Sequence, residues 1–211
     1  MLKFKGFELN PFYENTYVLW DEVTKEGIII DPGCYEAEEK LLLSDFISNE
    51  RIIIKYLVNT HCHLDHIFGN SFILNKYKPE FLAGEHDIPL LRNAPAQGKM
   101  FGIELEEQII PTGFLTEKKE LILGEERIKC LFTPGHSPGE FSLFAESLNI
   151  CFTGDVLFKQ GIGRTDLWGG NYETLIRSIK EKLFTLPPET IILPGHGEPS
   201  TIRNESKIFN Y

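Results

Sequence analysis

The chain has 211 residues, 42% of them apolar and 25% charged, and its 31 acidic side chains against 21 basic ones give a formal net charge of −10. This composition belongs to a folded globular domain and excludes disorder, collagen-like repeats and coiled coil. So acidic a chain gains little from counterion release on a phosphate backbone, and nucleic acid is not its expected partner.

Short β-rich runs come first. Leu2 to Leu9 alternates, Thr16 to Trp20 is β-branched and aromatic, and Gly27 to Ile30 is an apolar strand stopped by Asp31-Pro32-Gly33. Met1 to Asn10 lacks the apolar core and cleavage site of a signal peptide, and no stretch approaches the ~20 apolar residues of a membrane helix. Glu36 to Ser48 places Leu41, Leu42, Asp45, Phe46 and Ile47 at helical spacing behind an acidic first turn, and Ile52 to Val58 follows as a buried strand. That strand leads into Thr60-His61-Cys62-His63-Leu64-Asp65-His66, after which Ile67 to Tyr77 reads as a helix ended by Pro79. Asn93 to Thr116, rich in Gly and Pro, reads as irregular. The β pattern returns at Leu121 to Leu123, Arg127 to Phe132, Phe141 to Phe144 and Ile150 to Phe152. Asn171 to Leu183 is an amphipathic helix, Thr190 to Leu193 a strand, and Thr201 to Phe209 a closing helix. Strands followed by helices thus occur twice, which predicts a single α/β domain over 1–211 made of two similar halves, each a sheet with helices on its outer face. The four cysteines, Cys34, Cys62, Cys130 and Cys151, form no C-x-x-C pair and are too sparse for a disulfide scaffold. Free thiols and a cytoplasmic protein are expected.

Six histidines are unremarkable in number, and the signal lies in their placement. At roughly 2% His and 5% Asp, an H-x-H-x-D-H string arises by chance in a chain this long on the order of once in ten thousand. Three further donors stand in a like setting, just beyond an apolar strand: His136 in Thr133-Pro134-Gly135-His136, Asp155 in Thr153-Gly154-Asp155, and His196 in Pro194-Gly195-His196. Ligands from strand ends along one rim of a sheet can converge. Imidazoles and carboxylates without thiolate suit Zn²⁺ first, and also Fe²⁺ or Mn²⁺. A structural zinc saturates at four ligands. Seven donors instead suit two ions sharing a bridging carboxylate and a bridging solvent.

These residues resemble the hallmark of the metallo-β-lactamase superfamily, H-x-H-x-D-H followed by a lone His, a lone Asp and a final His, over nearly the whole chain. The resemblance implies an αββα sandwich. It implies His61, His63 and His136 on a first metal, Asp65, His66 and His196 on a second, and Asp155 bridging, with Asp31 supporting the metal loop without touching metal. Gly154-Asp155-Val156-Leu157-Phe158 and Gly163-Arg164-Thr165-Asp166 resemble the signature of glyoxalase-II-type hydrolases and of persulfide dioxygenases. The ending Pro194-Gly195-His196-Gly197 is closer to short, single-domain hydrolases of the first kind. Only 15 residues follow His196, so the C-terminal helical domain of the longer glyoxalase II enzymes is expected to be missing. By the same resemblance Arg164 faces the carboxylates of a glutathione moiety, and the rival role is a loop ion pair with Asp166.

The expected reaction is hydrolysis of a small thioester, S-lactoylglutathione or a similar hydroxyacyl thioester, by a metal-bridging hydroxide held in line by Asp65 and Asp155. The alternative is a persulfide dioxygenase with one iron on His61, His136 and Asp155, and a third reading is a non-catalytic metal-binding protein. His86 reads as a helix-start residue and Cys62 as turned away from its ligand neighbours, while Phe101, Phe158 and Trp168 read as core or surface filling.

Overall fold

The computed structural model describes residues 1–208; Phe209, the last residue of the expected closing helix, lies outside them. Sheet one takes its strands in chain order: β1 (Leu2–Leu9), β2 (Glu14–Asp21), β3 (Glu26–Ile30), β4 (Ile53–Val58), β5 (Glu80–Ala83) and β6 (Gly113–Phe114). The first three form an antiparallel meander, and β3 to β6 run parallel. Parallel neighbours need crossovers, and helices supply them: α1 (Ala37–Asn49) between β3 and β4, then α2 (Leu64–Ile67) and α3 (Asn70–Tyr77) between β4 and β5, and α4 (Ile88–Met100) before β6. A capping box between Glu36 and Glu39 starts α1.

Sheet two contains β7 (Glu120–Leu123), β8 (Glu126–Phe132), β9 (Phe141–Ala145) and β10 (Ile150–Gly154) as a second meander. A small hairpin, β11 (Leu157–Phe158) and β12 (Gly161–Ile162), stands apart from it. Asn171 caps α5 (Tyr172–Ser178), which continues as a π-turn over Ile179–Leu183. The chain then returns as β13 (Ile191–Pro194) parallel to β10, adds β14 (Ser200–Thr201) and ends in α6 (Ile202–Ile208).

Period-two alternation sorts the side chains into layers. Tyr17, Leu19, Ile28 and Ile30 face the other sheet, where they meet Leu121, Leu143, Phe152 and Leu193. Val18, Trp20 and Ile29 point the opposite way into the α1–α4 layer. Cys151 and Ile192 do the same toward Leu175, Ile179 and Ile202. The result is helices, sheet, sheet, helices: the αββα sandwich of two halves.

The short strands β5, β6, β11, β12 and β14 are additions to the sequence reading, and two helical regions differ from it. The helix expected from Ile67 is broken at Gly69, where a Cβ would stand 2.7 Å from the Pro32 carbonyl. The stretch expected to be irregular from Asn93 begins inside α4, which accommodates Pro95 and packs Leu90, Leu91 and Ala94 into the core. Burial of that apolar face outweighs the loss of about 3 kcal/mol that an interior proline brings. All four cysteines are buried and unpaired by disulfides.

Candidate metal centre

All seven donors leave the carboxyl ends of strands on one rim of the sandwich. His61, His63, Asp65 and His66 follow β4, His136 follows β8, Asp155 follows β10 and His196 follows β13. They meet as two clusters, His61–His63–His136 and Asp65–His66–His196, within each of which one donor atom per residue lies within 4.8 Å of the others. Asp155 stands between them: Oδ2 is 3.5 Å from His136 Nε2 and 3.7 Å from His196 Nε2, while Oδ1 is 3.5 Å from His66 Nε2. Gly195 permits this closeness, since a Cβ there would collide with Asp155 Oδ1 and lie 2.7 Å from His66 Cε1.

The orientation of four of the five imidazoles is fixed from behind. His136 Nδ1 is 2.7 Å from the Arg164 carbonyl and His196 Nδ1 is 3.1 Å from the Phe12 carbonyl. A carbonyl only accepts, so each Nδ1 carries a proton and each Nε2 is the atom turned toward the clusters. His66 Nδ1 lies 3.1 Å from Asp31 Oδ2. Thr60 Oγ1 donates to Asp31 Oδ2 at 2.5 Å and is therefore left to accept from His61 Nδ1 at 3.2 Å. His63 is turned the other way, with Nδ1 2.8 Å from His136 Nε2. Behind the inward-facing atoms nothing is satisfied: His61 Nε2, His66 Nε2 and Asp155 Oδ1 are buried without a hydrogen-bond partner. Such atoms cost about 1–3 kcal/mol each when left unpaired, and a cation among them removes that cost. With imidazole and carboxylate as the only donor types, the site fits divalent metal ions.

Burial and charge act differently on the two clusters. Burial drives His61 well below the usual imidazole range, and with its histidine neighbours pushes His63 down to about 3. Burial also lowers His136. In the second cluster burial again opposes the charge on His66, but the carboxylates of Asp65, Asp155 and Asp31 outweigh it and hold that imidazole well above its ordinary value. His196 is raised by Asp65, 3.0 Å away, and by Asp155, against its own burial. Asp65 is buried too, yet His66 and His196 hold its carboxyl well below the usual range.

Asp31 occupies the supporting place that the resemblance implied. It turns at φ +48° and also accepts the Thr60 backbone N–H at 2.7 Å. Arg164 is exposed, with Nε and Nη2 each 2.7 Å from an oxygen of Asp166, while its backbone carbonyl orients His136. Cys62 points into the α1–α4 core, and burial holds its thiol well above the ordinary range. His86 stands outside both clusters, its ring 6.3 Å from Phe132.

Two buried acids escape a sequence reading. Glu140 Oε1 accepts the Asp155 backbone N–H at 2.8 Å and lies 3.6 Å from His61 Nδ1, and burial raises its carboxyl well above the usual range. Asp87 accepts from the backbone of Cys62 (3.0 Å), the Ser137 hydroxyl (2.8 Å) and the backbone of Gly139 (2.6 Å), so it ties the His61–His63 loop to the His136 loop. Burial pushes Asp87 up to about 6. Neither has a periodic or motif signal in one sequence. The site opens into a cavity of about 560 Å³ whose floor includes His63, Asp65, His136, Asp155 and His196 and whose lining includes Phe101 and Trp168, read from sequence as filling.

Residues 9–196, from the end of β1 to the last donor, match one family description throughout. The chain belongs to the metallo-beta-lactamase superfamily. It is 36% identical over 201 residues to hydroxyacylglutathione hydrolase GloC of Haemophilus influenzae, covering 94% of this chain and 92% of that one. It is 31% identical over 181 residues to the mitochondrial persulfide dioxygenase ETHE1 of Bos taurus, covering 86% of this chain and 63% of that one. Among solved structures, TTHA1623 in a di-iron-bound form superposes with a TM-score of 0.84 at 30% identity, covering 97% of this chain and 98% of the other. The superfamily membership agrees with the motif and with the sandwich.

Proposed function

We propose that this chain hydrolyses a small hydroxyacyl thioester, of which S-lactoylglutathione is the first to try. Two divalent metal ions, zinc before iron or manganese, would serve the reaction. The observation that carries this reading is the convergence of seven donors in two clusters, joined by Asp155, five of which line the floor of a cavity large enough for a small molecule. His61, His63 and His136 would hold one ion, Asp65, His66 and His196 the other, and Asp155 both. When bound, such ions supply Lewis acidity to a carbonyl and lower the pKa of water toward ~7.

The protein's part is positioning. Glu140 fixes the Asp155 backbone, Asp31 and Thr60 fix His66 and His61, and the carbonyls of Phe12 and Arg164 fix His196 and His136. These five donors are thus held before any substrate arrives. The Cys62 thiol, neutral and turned into the core, offers no competing nucleophile. A thiolate leaves without help from a general acid, and none is called for here. Both the 36%-identical hydrolase and the Pro194-Gly195-His196-Gly197 motif favour hydrolysis.

The competing reading, persulfide oxidation at one iron on His61, His136 and Asp155, rests on the 31%-identical dioxygenase. It leaves the Asp65–His66–His196 cluster without a task. Zinc, being d¹⁰, cannot support oxidation by dioxygen, so metal identity separates the two. Zinc- and iron-loaded protein is given S-lactoylglutathione and glutathione persulfide, with free thiol followed in one assay and oxygen uptake in the other. Thiol release by the zinc form without oxygen supports hydrolysis. Activity confined to the iron form, with oxygen consumed, replaces it with the dioxygenase.

A further inference from the structure

We infer that the thiol half of the substrate is uncharged and apolar, aromatic by preference, and that Phe101 and Trp168 select it. This rests on the thioester reading above and narrows it. A hydroxyacyl group as small as lactoyl has few heavy atoms and needs little more than the donor floor, so most of the 560 Å³ is left for the thiol half. Apart from Gln97 and Arg164 that remaining lining is apolar, and its exposed part comes from separate segments: Phe12 from the β1–β2 turn, Met100 and Phe101 from the end of α4, and Leu167 and Trp168 from the loop after β12. Phe12 and Phe101 meet edge to face, ring centroids 6.2 Å apart, so the first two segments form one surface. Phe101 is 65% exposed and Trp168 57%. Large apolar side chains from distant parts of a chain, solvent-facing and converging at the mouth above a donor cluster, mark a surface that an apolar ligand covers.

Charge points the same way. A glutathione thiol carries two carboxylates and one ammonium. Arg164 is the one Lys or Arg among the lining residues, and the Nε–Nη2 edge of its fork is engaged by Asp166. The other charged side chains of the lining are the acids Asp65 and Asp155 and their histidine partners on the floor. A peptide carboxylate placed here would have to share that single cation with Asp166, in a chain of net charge −10. An aryl thiol needs no cation and gains aromatic contact.

The test keeps the lactoyl group constant and varies the thiol: glutathione, N-acetylcysteamine (neutral and polar) and benzyl mercaptan. With the zinc-loaded full chain, kcat/KM for the benzyl thioester is expected to exceed that for the glutathione thioester by about tenfold or more, mainly through KM. Trp168→Ala should remove about fivefold of that preference by raising KM for the benzyl thioester, while Trp168→Phe retains it. Calorimetric titration with the corresponding thioethers, which cannot be hydrolysed, reads the same preference as Kd without turnover. A tighter glutathione thioether, or a Trp168→Ala effect that lowers kcat equally for all three thioesters, overturns the inference. No thiol release from any thioester, with the benzyl thioether still bound more tightly and Trp168→Ala still weakening it, sinks the thioester reading and leaves the apolar preference standing.

Discussion

The two donor clusters are built from opposite electrostatics. His61, His63 and His136 are imidazoles crowded together in a buried place, and burial keeps them neutral. Asp65, His66 and His196 alternate carboxylate with imidazole, and each charge there holds its neighbour's. The first cluster therefore offers a cation neutral rings, at the expense of burying three imidazoles together, and the proton shared by His63 Nδ1 and His136 Nε2 must move aside. The second already balances its own charge when empty, and a cation must compete with protons. Seven donors on one rim are thus two devices that share Asp155, and removing single residues should separate them.

The largest effect is expected where the devices meet. Asp155→Ala should reduce turnover on the order of a thousandfold or more and lower metal content at both clusters, because among the described residues no other carboxylate reaches His136, His66 and His196 together. Elemental analysis beside a turnover assay checks this. Full occupancy by two ions in the variant would show that the clusters do not depend on a shared ligand.

His196→Ala separates them. It removes one donor of the second cluster and none of the first, so metal content should fall from two ions per chain toward one, with turnover down about 10–100-fold or more. His63→Ala should remove the other ion instead. If wild-type protein, fully reconstituted, holds one ion and His196→Ala changes neither content nor rate, the second cluster is not a metal site and the dioxygenase reading gains.

Much of this arrangement was legible in the sequence because it repeats a simple rule. An apolar strand ends, a Gly or Thr turns, and a donor follows; His61, His136, Asp155 and His196 all obey it, and the alternation of Tyr17 to Trp20 or Ile28 to Ile30 already assigned faces to layers. The parts that stayed hidden lack such a rule. The helix α4 carries Pro95 and Gly98 in its interior, so local propensity argues against it there and burial decides for it. Its concealment hid the approach of Met100 and Phe101 to the cavity as well. The strand β5 has four residues, too short for alternation to show. Asp87 and Glu140 are single acids in turns, and only the packing of loops distant in sequence makes them buried acceptors.

Asp87 supports the first cluster and touches nothing in the second, so Asp87→Asn is a milder way to divide them. Asn cannot accept on both terminal atoms, and metal affinity at the first cluster should fall about tenfold. The carboxyl also sets a pH dependence whose sign is fixed. Its folded pKa of about 6 lies above the unfolded value of 3.8, so the stability it lends is complete at low pH and is lost as pH rises through 6. From those two values, wild type should lose about 1.4 kcal/mol between about pH 5 and pH 7.5 that Asp87→Asn does not lose. Urea unfolding of both metal-free proteins at the two pH values measures the difference, and an unchanging gap would mean that Asp87 is ionised throughout.

The smallest effect is expected at Arg164, which faces the cavity with its side chain and the first cluster with its backbone. The guanidinium is bidentate to Asp166, but the pair is exposed and screened, and the contact that matters to His136 is a main-chain carbonyl that substitution keeps. Arg164→Ala should therefore lower the thermal midpoint slightly and leave the ratio of kcat/KM between charged and uncharged thioesters where it was. A guanidinium that receives a substrate carboxylate behaves otherwise: its removal raises KM for the glutathione thioester alone, since what is lost is binding common to ground and transition states. That outcome would return Arg164 to the substrate-binding role implied by the resemblance and would count against an apolar thiol in the cavity.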